Sequence, residues 1–122
     1  MVETRSSSDC HSWGSWRLSH RLYSSAARGA AASSGIGLTL LPVLYSHSGF
    51  GGQAPNEGQR RFINSTEHYL DLQARLKPIL AAQPAQQLGL CFHSLRAVTP
   101  QQINEVLAAS DKTCPVHIHI AE

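Results

Sequence analysis

The closing stretch of the chain, residues 114–122, reads CPVHIHIAE. Apolar and other side chains alternate through it, which is the period of an extended strand with one covered face. Aliphatic side chains at positions 116, 118 and 120 fall on one face, and His117 and His119 fall on the other. Glu122 follows just past the end of this strand. Because imidazole is a common zinc ligand and a nearby carboxylate can carry protons, the stretch predicts a strand that ends at a metal site.

Length and composition narrow the class of protein. The chain has 122 residues, which suffice for one small domain but not for a whole barrel of roughly 250 residues. Its formal charge is +2 and no dense stripe of Lys and Arg occurs, so we expect no nucleic-acid partner. No apolar run reaches about 18 residues, so we expect no membrane partner. The three cysteines are odd in number and widely spaced, which favours a reducing compartment and predicts a cytoplasmic protein.

The amino-terminal part of the chain differs from the rest. Residues 1–29 are rich in Ser and Arg and show no sustained period, so we predict a poorly structured or non-homologous leader there and a domain over residues 30–122. One interpretation is an organelle transit peptide, which is typically rich in Arg and Ser and poor in acids. The other is an unrelated leader joined to the domain. Trp13 and Trp16 interrupt a basic amphipathic helix and favour the second.

Apolar periodicity predicts two further strands and two helices before the closing strand. The elements are a strand over residues 36–45 that weakens at Pro42, a helix from about residue 64 or 66, a strand over residues 88–93 and a helix from residue 99. Strands that alternate with helices at this spacing form a parallel sheet through right-handed crossovers. The sequence therefore predicts an α/β fold.

Helix boundaries are marked by short signals. Asn64 and Glu67 are spaced like a capping pair, and Pro78 is expected to kink or end the helix that they begin. The segment 99–102, Thr-Pro-Gln-Gln, combines an N-cap, a proline at the first helical position and a glutamine at the third. Gly35 is expected to stop an Ala-rich helix that precedes the first strand.

Two of the predicted strands place a histidine at their carboxyl ends. In a closed (β/α) barrel, large apolar residues pack outward under the helices, polar ones face the lumen, and catalytic groups lie at the carboxyl-terminal rim. On this geometry His93, His119 and Glu122 point toward one site. His117 lies one pleat deeper than His119, which favours a structural role for it.

Two of these candidates keep an alternative. His93 is equally explained as a histidine that is simply hydrogen-bonded near a strand end. Arg96 has a planar guanidinium that suits a substrate carboxylate, and a solvated surface arginine is an equal alternative.

The same residues carry a resemblance to a known family. His119-Ile120-Ala121-Glu122 resembles the fifth-strand motif of the amidohydrolase superfamily, and the segment 93–96, His-Ser-Leu-Arg, is similar to the fourth-strand segment of its deaminase branch. The longer run over residues 35–122, some 88 of 122 residues, resembles the bacterial formimidoylglutamate deiminases. The matching segments are GLTLLPVLYSHSGFGGQ, EGQRRFIN, LGLCFHSLRAVTPQQI and PVHIHIAE.

This resemblance implies a fold, a reaction and roles for particular residues. The family folds as a (β/α)8 TIM-type barrel with a small β-sandwich, binds one zinc ion, and hydrolyses N-formimidoyl-L-glutamate to N-formyl-L-glutamate and ammonia in histidine degradation. His119 would be the fifth-strand zinc ligand, and Glu122 would be the catalytic residue that handles protons. His93 and Arg96 would bind the substrate, a small molecule. A homodimer is one option for the whole enzyme.

The resemblance is incomplete, and this sets a further expectation. The family's first-strand His-x-His pair has no counterpart, because His11 and His20 lack that spacing, and its sixth-strand His and eighth-strand Asp would follow residue 122. We therefore expect an incomplete barrel of about three parallel strands with connecting helices, without a full zinc site and inactive by itself. Two alternatives stay open: a small non-enzymatic α/β interaction module that pairs through open sheet edges, or a fragment of a nucleobase or nucleoside deaminase of the same superfamily.

Overall fold

The computed structural model describes residues 25–120, so residues 1–24, which make up most of the predicted leader, and residues 121–122 lie outside the described part. The elements are helix α1 over residues 25–34, strand β1 (Leu38–Leu40), strand β2 (Val43–Leu44), helix α2 (Thr66–Ala81), strand β3 (Gln86–Leu88), strand β4 (Leu90–Ser94), helix α3 (Pro100–Ala109) and strand β5 (Val116–His119). None of the described helices is both long and apolar enough to cross a membrane.

All the strand pairs are parallel, as the alternation of strands and helices predicts. Strands β2, β4 and β5 form one sheet in that order, and β1 pairs with β3 in a second, two-stranded sheet. Parallel neighbours need long crossover connections. Helix α2 provides the connection from β2 to β3, and α3 provides the connection from β4 to β5. The described part of the chain is therefore a mixed α/β fold with parallel strands.

The hydrophobic core lies between the three-stranded sheet and the two long helices. One face of the sheet buries Leu44, Leu90 and Phe92, whose positions alternate as the sequence predicts. The other buried members of the core are Tyr69 from α2, Ala97 and Val98 from the turn after β4, and Val106 from α3. The helices therefore cover β2 and β4 on this face, whereas Val116 and Ile118 of β5 remain 49% and 37% exposed, so the covered face predicted for the closing strand is not observed.

The first predicted strand is interrupted at Pro42, which separates β1 from β2. Proline has no N–H to donate to the ladder. The hydroxyl of Tyr69, which is completely buried, bridges the gap between strands instead. It donates to the carbonyl of Pro42 at 3.0 Å and accepts the N–H of Cys91 at 3.1 Å. The weakening predicted at Pro42 is confirmed, and a side chain from α2 satisfies the backbone groups there.

The second predicted strand is interrupted at Gly89, between β3 and β4. There the backbone is hydrogen-bonded on both sides. The N–H of Gly89 donates to the carbonyl of Leu40 at 2.9 Å, and the N–H of Leu90 donates to the carbonyl of Pro115 at 2.8 Å. A Cβ atom at position 89 would lie 2.7 Å from the carbonyl oxygen of Pro115 and 2.6 Å from the side chain of Leu41. Only glycine fits this close approach of backbones.

Helix α2 shows that the expected capping role of Asn64 is wrong. Its N-cap is Ser65, whose hydroxyl accepts the N–H of His68 at 3.2 Å, and Asn64 does not cap the helix. Asn64 is instead buried against the strand backbone, where longer-range hydrogen bonds use its side chain. Pro78 does not end the helix, which continues to Ala81. A proline in the last turn removes one hydrogen bond only, and packing of the buried helix face outweighs that loss.

Helix α3 begins as the sequence predicts. The hydroxyl of Thr99 accepts the N–H of Gln102 at 3.3 Å, and the side chain of Gln102 accepts the N–H of Thr99 at 3.0 Å. The side-chain nitrogen of Gln102 also donates to the hydroxyls of Ser46 and Thr66. The capping box therefore ties the start of α3 to the start of α2 and to the loop after β2.

Thr99→Ala is expected to lower the free energy of unfolding by about 1 kcal/mol, because it removes the acceptor for an otherwise unpaired helix N–H. Urea denaturation followed by circular dichroism measures the change. Thr99→Ser keeps the hydroxyl and is the matched control, expected within about 0.5 kcal/mol of the wild type. Equal losses for the two variants would contradict a capping role.

Candidate functional site

The sheet face opposite the helices carries the candidate residues. Val43 of β2 pairs with Cys91 of β4, and Cys91 pairs with His117 of β5, so the three side chains lie in a row on this face. Residues two positions further along each strand return to the same face. This places Tyr45, just after β2, and His119 of β5 toward the carboxyl ends of the strands, on the side that helices do not cover.

Strand β4 contains a bulge at the candidate residue His93. Phe92 pairs with Ile118, but Ser94, rather than His93, pairs with His119. One extra residue is therefore present in β4 relative to β5, and bulges of this kind re-aim a side chain near functional sites. The alternation alone predicts a regular strand here, so the bulge was not predicted.

Contacts on two sides fix the imidazole of His93. Its ring stacks on the ring of Tyr45, with 4.5 Å between centroids and 27° between planes. Its Nδ1 lies 3.1 Å from the hydroxyl oxygen of Ser94. The same oxygen accepts the N–H of Ala97 at 3.3 Å, and Ser94 is buried. His93 is therefore a half-buried ring with a defined orientation.

Asn64, which the sequence predicts only as part of a capping pair, positions the Tyr45 backbone. Its side-chain oxygen accepts the N–H of Tyr45 at 2.9 Å, and its side-chain nitrogen donates to the carbonyl of Val43 at 2.9 Å. Its own N–H donates to the carbonyl of Tyr45, and its carbonyl accepts the hydroxyl of Ser46 at 2.8 Å. Asn64 thus takes the place of a neighbouring strand at this edge of β2. No local pattern signals this, because the partners lie about 20 residues away in the chain.

The remaining candidates are His119, Arg96 and Glu122. His119 and His117 are both exposed on β5, and the register places them on the same sheet face as Cys91. Arg96 lies half-buried in the turn after β4. Glu122 lies outside the described residues, so its position relative to His119 stays a prediction. The structure brings His93 and His119 to the carboxyl ends of neighbouring strands.

The described residues do not hold a metal by themselves. Within residues 25–120, no three His, Cys, Asp or Glu side chains are grouped so that they could bind one ion. Zinc in a catalytic site needs about three protein ligands. This part of the chain therefore does not fit a zinc ion without further ligands.

Cys91 is the one thiol on this face among residues 25–120. It forms no disulfide, and burial raises the pKa of the Cys91 thiol. A raised pKa keeps the sulfur protonated near neutral pH, and the thiolate is the nucleophilic form. Burial therefore favours a packing role for Cys91 over a nucleophilic one.

Comparisons with known proteins find similarity over about three quarters of the chain. No family model matches the chain. Over 93 residues, or 76% of this chain and 20% of the relative, it is 69% identical to a formimidoylglutamate deiminase of Pseudomonas aeruginosa. The crystal structure of an amidohydrolase from Brucella melitensis matches with a TM-score of 0.69 at 50% identity, over 75% of this chain and 20% of that one. The predicted resemblance is confirmed, and the chain is similar, in sequence and in fold, to a segment that makes up about one fifth of the length of a formimidoylglutamate deiminase and of an amidohydrolase.

Proposed function

We propose that this chain supplies about three consecutive β/α units of a (β/α)8-barrel hydrolase that converts N-formimidoyl-L-glutamate to N-formyl-L-glutamate and ammonia. The 69% identity to a formimidoylglutamate deiminase carries the proposal, because it covers most of the described residues. The parallel strands with helices on one face agree with it, since such a barrel places helices outside and polar residues in its lumen. We place the reaction in the cytoplasm, in keeping with the few and widely spaced cysteines.

The proposal gives roles to four residues of this chain. His119 would be one metal ligand, and Glu122 would carry a proton beside it. His93 and Arg96, which lie at the end of β4 and in the following turn, would bind the substrate. A guanidinium and an imidazole N–H both suit a glutamate-type carboxylate.

We propose that the chain has no hydrolytic activity by itself, because residues 25–120 do not group three metal ligands. The purified chain, incubated with formimidoylglutamate and zinc, is expected to release ammonia only at the uncatalysed rate. Release above that rate would contradict the proposal for the isolated chain.

A chimera tests the function of the segment. The matching 93 residues of this chain replace their counterpart in the Pseudomonas aeruginosa enzyme, and the chimera is expected to release ammonia within about tenfold of the parent rate. His119→Ala in the chimera is expected to abolish the activity and to lower the zinc content. His117→Ala is the matched control, one pleat earlier on the same strand, and is expected to keep most of both.

A folded, zinc-loaded chimera without activity would contradict the proposed function. It would favour a second candidate, a non-enzymatic module that pairs through its sheet edge. One observation supports that candidate: β5 has a neighbour on one side only among the described strands, and Ile120, just past its end, is 80% exposed. Unpaired edges of this kind are templates for pairing with another chain.

A further inference from the structure

We propose that Ser94 and Tyr45 are positioning residues that hold His93 as the tautomer with its proton on Nε2, in a fixed ring orientation. In this form His93 presents a neutral hydrogen-bond donor to a substrate oxygen. Only the identity of that oxygen rests on the proposed function, and the tautomer rests on hydrogen-bond geometry.

The first step concerns the hydroxyl of Ser94. Its oxygen accepts the N–H of Ala97 at 3.3 Å, and this uses one lone pair. Within the described part of the chain, Nδ1 of His93, at 3.1 Å, is the only acceptor that this hydroxyl hydrogen reaches. Ser94 is only 4% exposed, so water does not readily replace that acceptor. An unpaired buried hydroxyl costs free energy, so the arrangement favours donation from Ser94 to Nδ1.

The second step concerns the other ring nitrogen. A neutral imidazole that accepts at Nδ1 carries its proton on Nε2. Within residues 25–120 no hydrogen-bond partner contacts Nε2 of His93. With respect to these residues the ring therefore keeps one donor, which a ligand oxygen can accept. The opposite tautomer would present a lone pair, which repels a carboxylate or carbonyl oxygen.

The third step concerns the orientation of the ring. Tyr45 stacks on one side of the imidazole, which limits rotation about its side-chain bonds. The Tyr45 backbone is in turn held by Asn64 through hydrogen bonds of 2.9 Å. The donor is thus oriented before any ligand binds, which lowers the entropy lost on binding.

Nitrogen-15 NMR of the full chain tests the tautomer without substrate or metal. Spectra are recorded in mildly alkaline buffer. Comparison with His93→Gln assigns the ring. We expect a protonated Nε2 and an Nδ1 resonance shifted in the direction of a hydrogen-bonded acceptor. A wild-type ring with its proton on Nδ1 would overturn the inference, whatever the chimera does.

Variants separate positioning from general stability. Ser94→Ala is expected to move the Nδ1 resonance to that of an unbonded acceptor, and Ser94→Thr, which keeps a hydroxyl, is expected to restore it. Tyr45→Leu is expected to remove the ring-current shift of the His93 carbon-bound protons, and Tyr45→Phe to retain it. If Ser94→Ala leaves the Nδ1 resonance unchanged in a folded chain, Ser94 does not set the tautomer.

Discussion

Replacing Tyr69 by phenylalanine is expected to lower the free energy of unfolding by about 2–4 kcal/mol, a large effect for the loss of one oxygen atom. The hydroxyl donates to the Pro42 carbonyl and accepts the N–H of Cys91 and the amide of Gln73. Phenylalanine keeps the ring in the core but leaves the Pro42 and Cys91 backbone groups buried without partners. Each such group costs about 1–3 kcal/mol. Gln73 keeps its second acceptor, the carbonyl of Gly89, so it adds little.

Urea denaturation of the full chain measures this effect. Tyr69→Phe is expected to unfold at a lower midpoint urea concentration, with an unchanged slope of unfolding free energy against urea. Tyr45→Phe is the matched control, because Tyr45 is half-buried and its hydroxyl makes no hydrogen bond within the described part of the chain. It is expected to change stability by no more than about 0.5 kcal/mol. Similar midpoints for the two variants would show that the Tyr69 hydroxyl does not bridge the strands.

The same hydroxyl predicts a loss of stability in alkali. Burial of the phenol raises the pKa of Tyr69 from 10.0 to about 12, because the charged phenolate is poorly solvated in the core. A raised pKa means that its contribution is complete below pH 10 and falls as pH rises toward 12, since the unfolded chain releases its proton first. Burial also raises the pKa of Cys91, but that group is present in both proteins. The difference in unfolding free energy between the wild type and Tyr69→Phe should therefore shrink between about pH 10 and 12, and a constant difference would contradict it.

The sequence was sufficient where the signal is local. Alternation over residues 116–119 predicted an extended strand, although its expected covered face is exposed, Pro42 marked the break in the first strand, and Thr99 with Gln102 marked the start of α3. Each of these depends on groups within a few residues of one another. Gly35 likewise ends α1 with a positive φ of 75°, a conformation that glycine adopts readily.

The sequence was insufficient where a side chain serves a distant backbone. The 64–67 spacing resembled a capping pair, but two long-range partners compete for Asn64 and leave Ser65 to cap α2. The phenol of Tyr69 replaces a strand hydrogen bond, a role that depends on backbone groups 22 and 27 residues away in the chain. The bulge at His93 depends on the register with a strand over 20 residues later. The positions of His93 and His119 near the carboxyl ends of neighbouring strands were therefore predicted, but the groups that orient His93 were not.

Asn64→Ala is expected to lower the free energy of unfolding by about 2–4 kcal/mol and to disturb the candidate site at the same time. Asn64 is 3% exposed, and its amide satisfies the carbonyl of Val43 and the N–H of Tyr45. Alanine leaves both groups unpaired at the outer edge of β2, each at a cost of about 1–3 kcal/mol unless water enters. Asn104→Ala, at an exposed position of α3, is the matched control and is expected within about 0.5 kcal/mol of the wild type.

The second measurement on Asn64→Ala concerns the stacking of Tyr45 on His93, which the contacts of Asn64 with the Tyr45 backbone support. Without the amide, the Tyr45 backbone loses one of its two anchors to residue 64, and the ring that stacks on His93 becomes less constrained. The ring-current shift on the His93 protons should therefore decrease in conditions where Asn64→Ala remains folded, and remain unchanged in Asn104→Ala. Loss of stability with an unchanged His93 spectrum would mean that Asn64 supports the sheet edge but not the site. Loss of both would mean that the same two hydrogen bonds hold the edge of β2 and orient the imidazole.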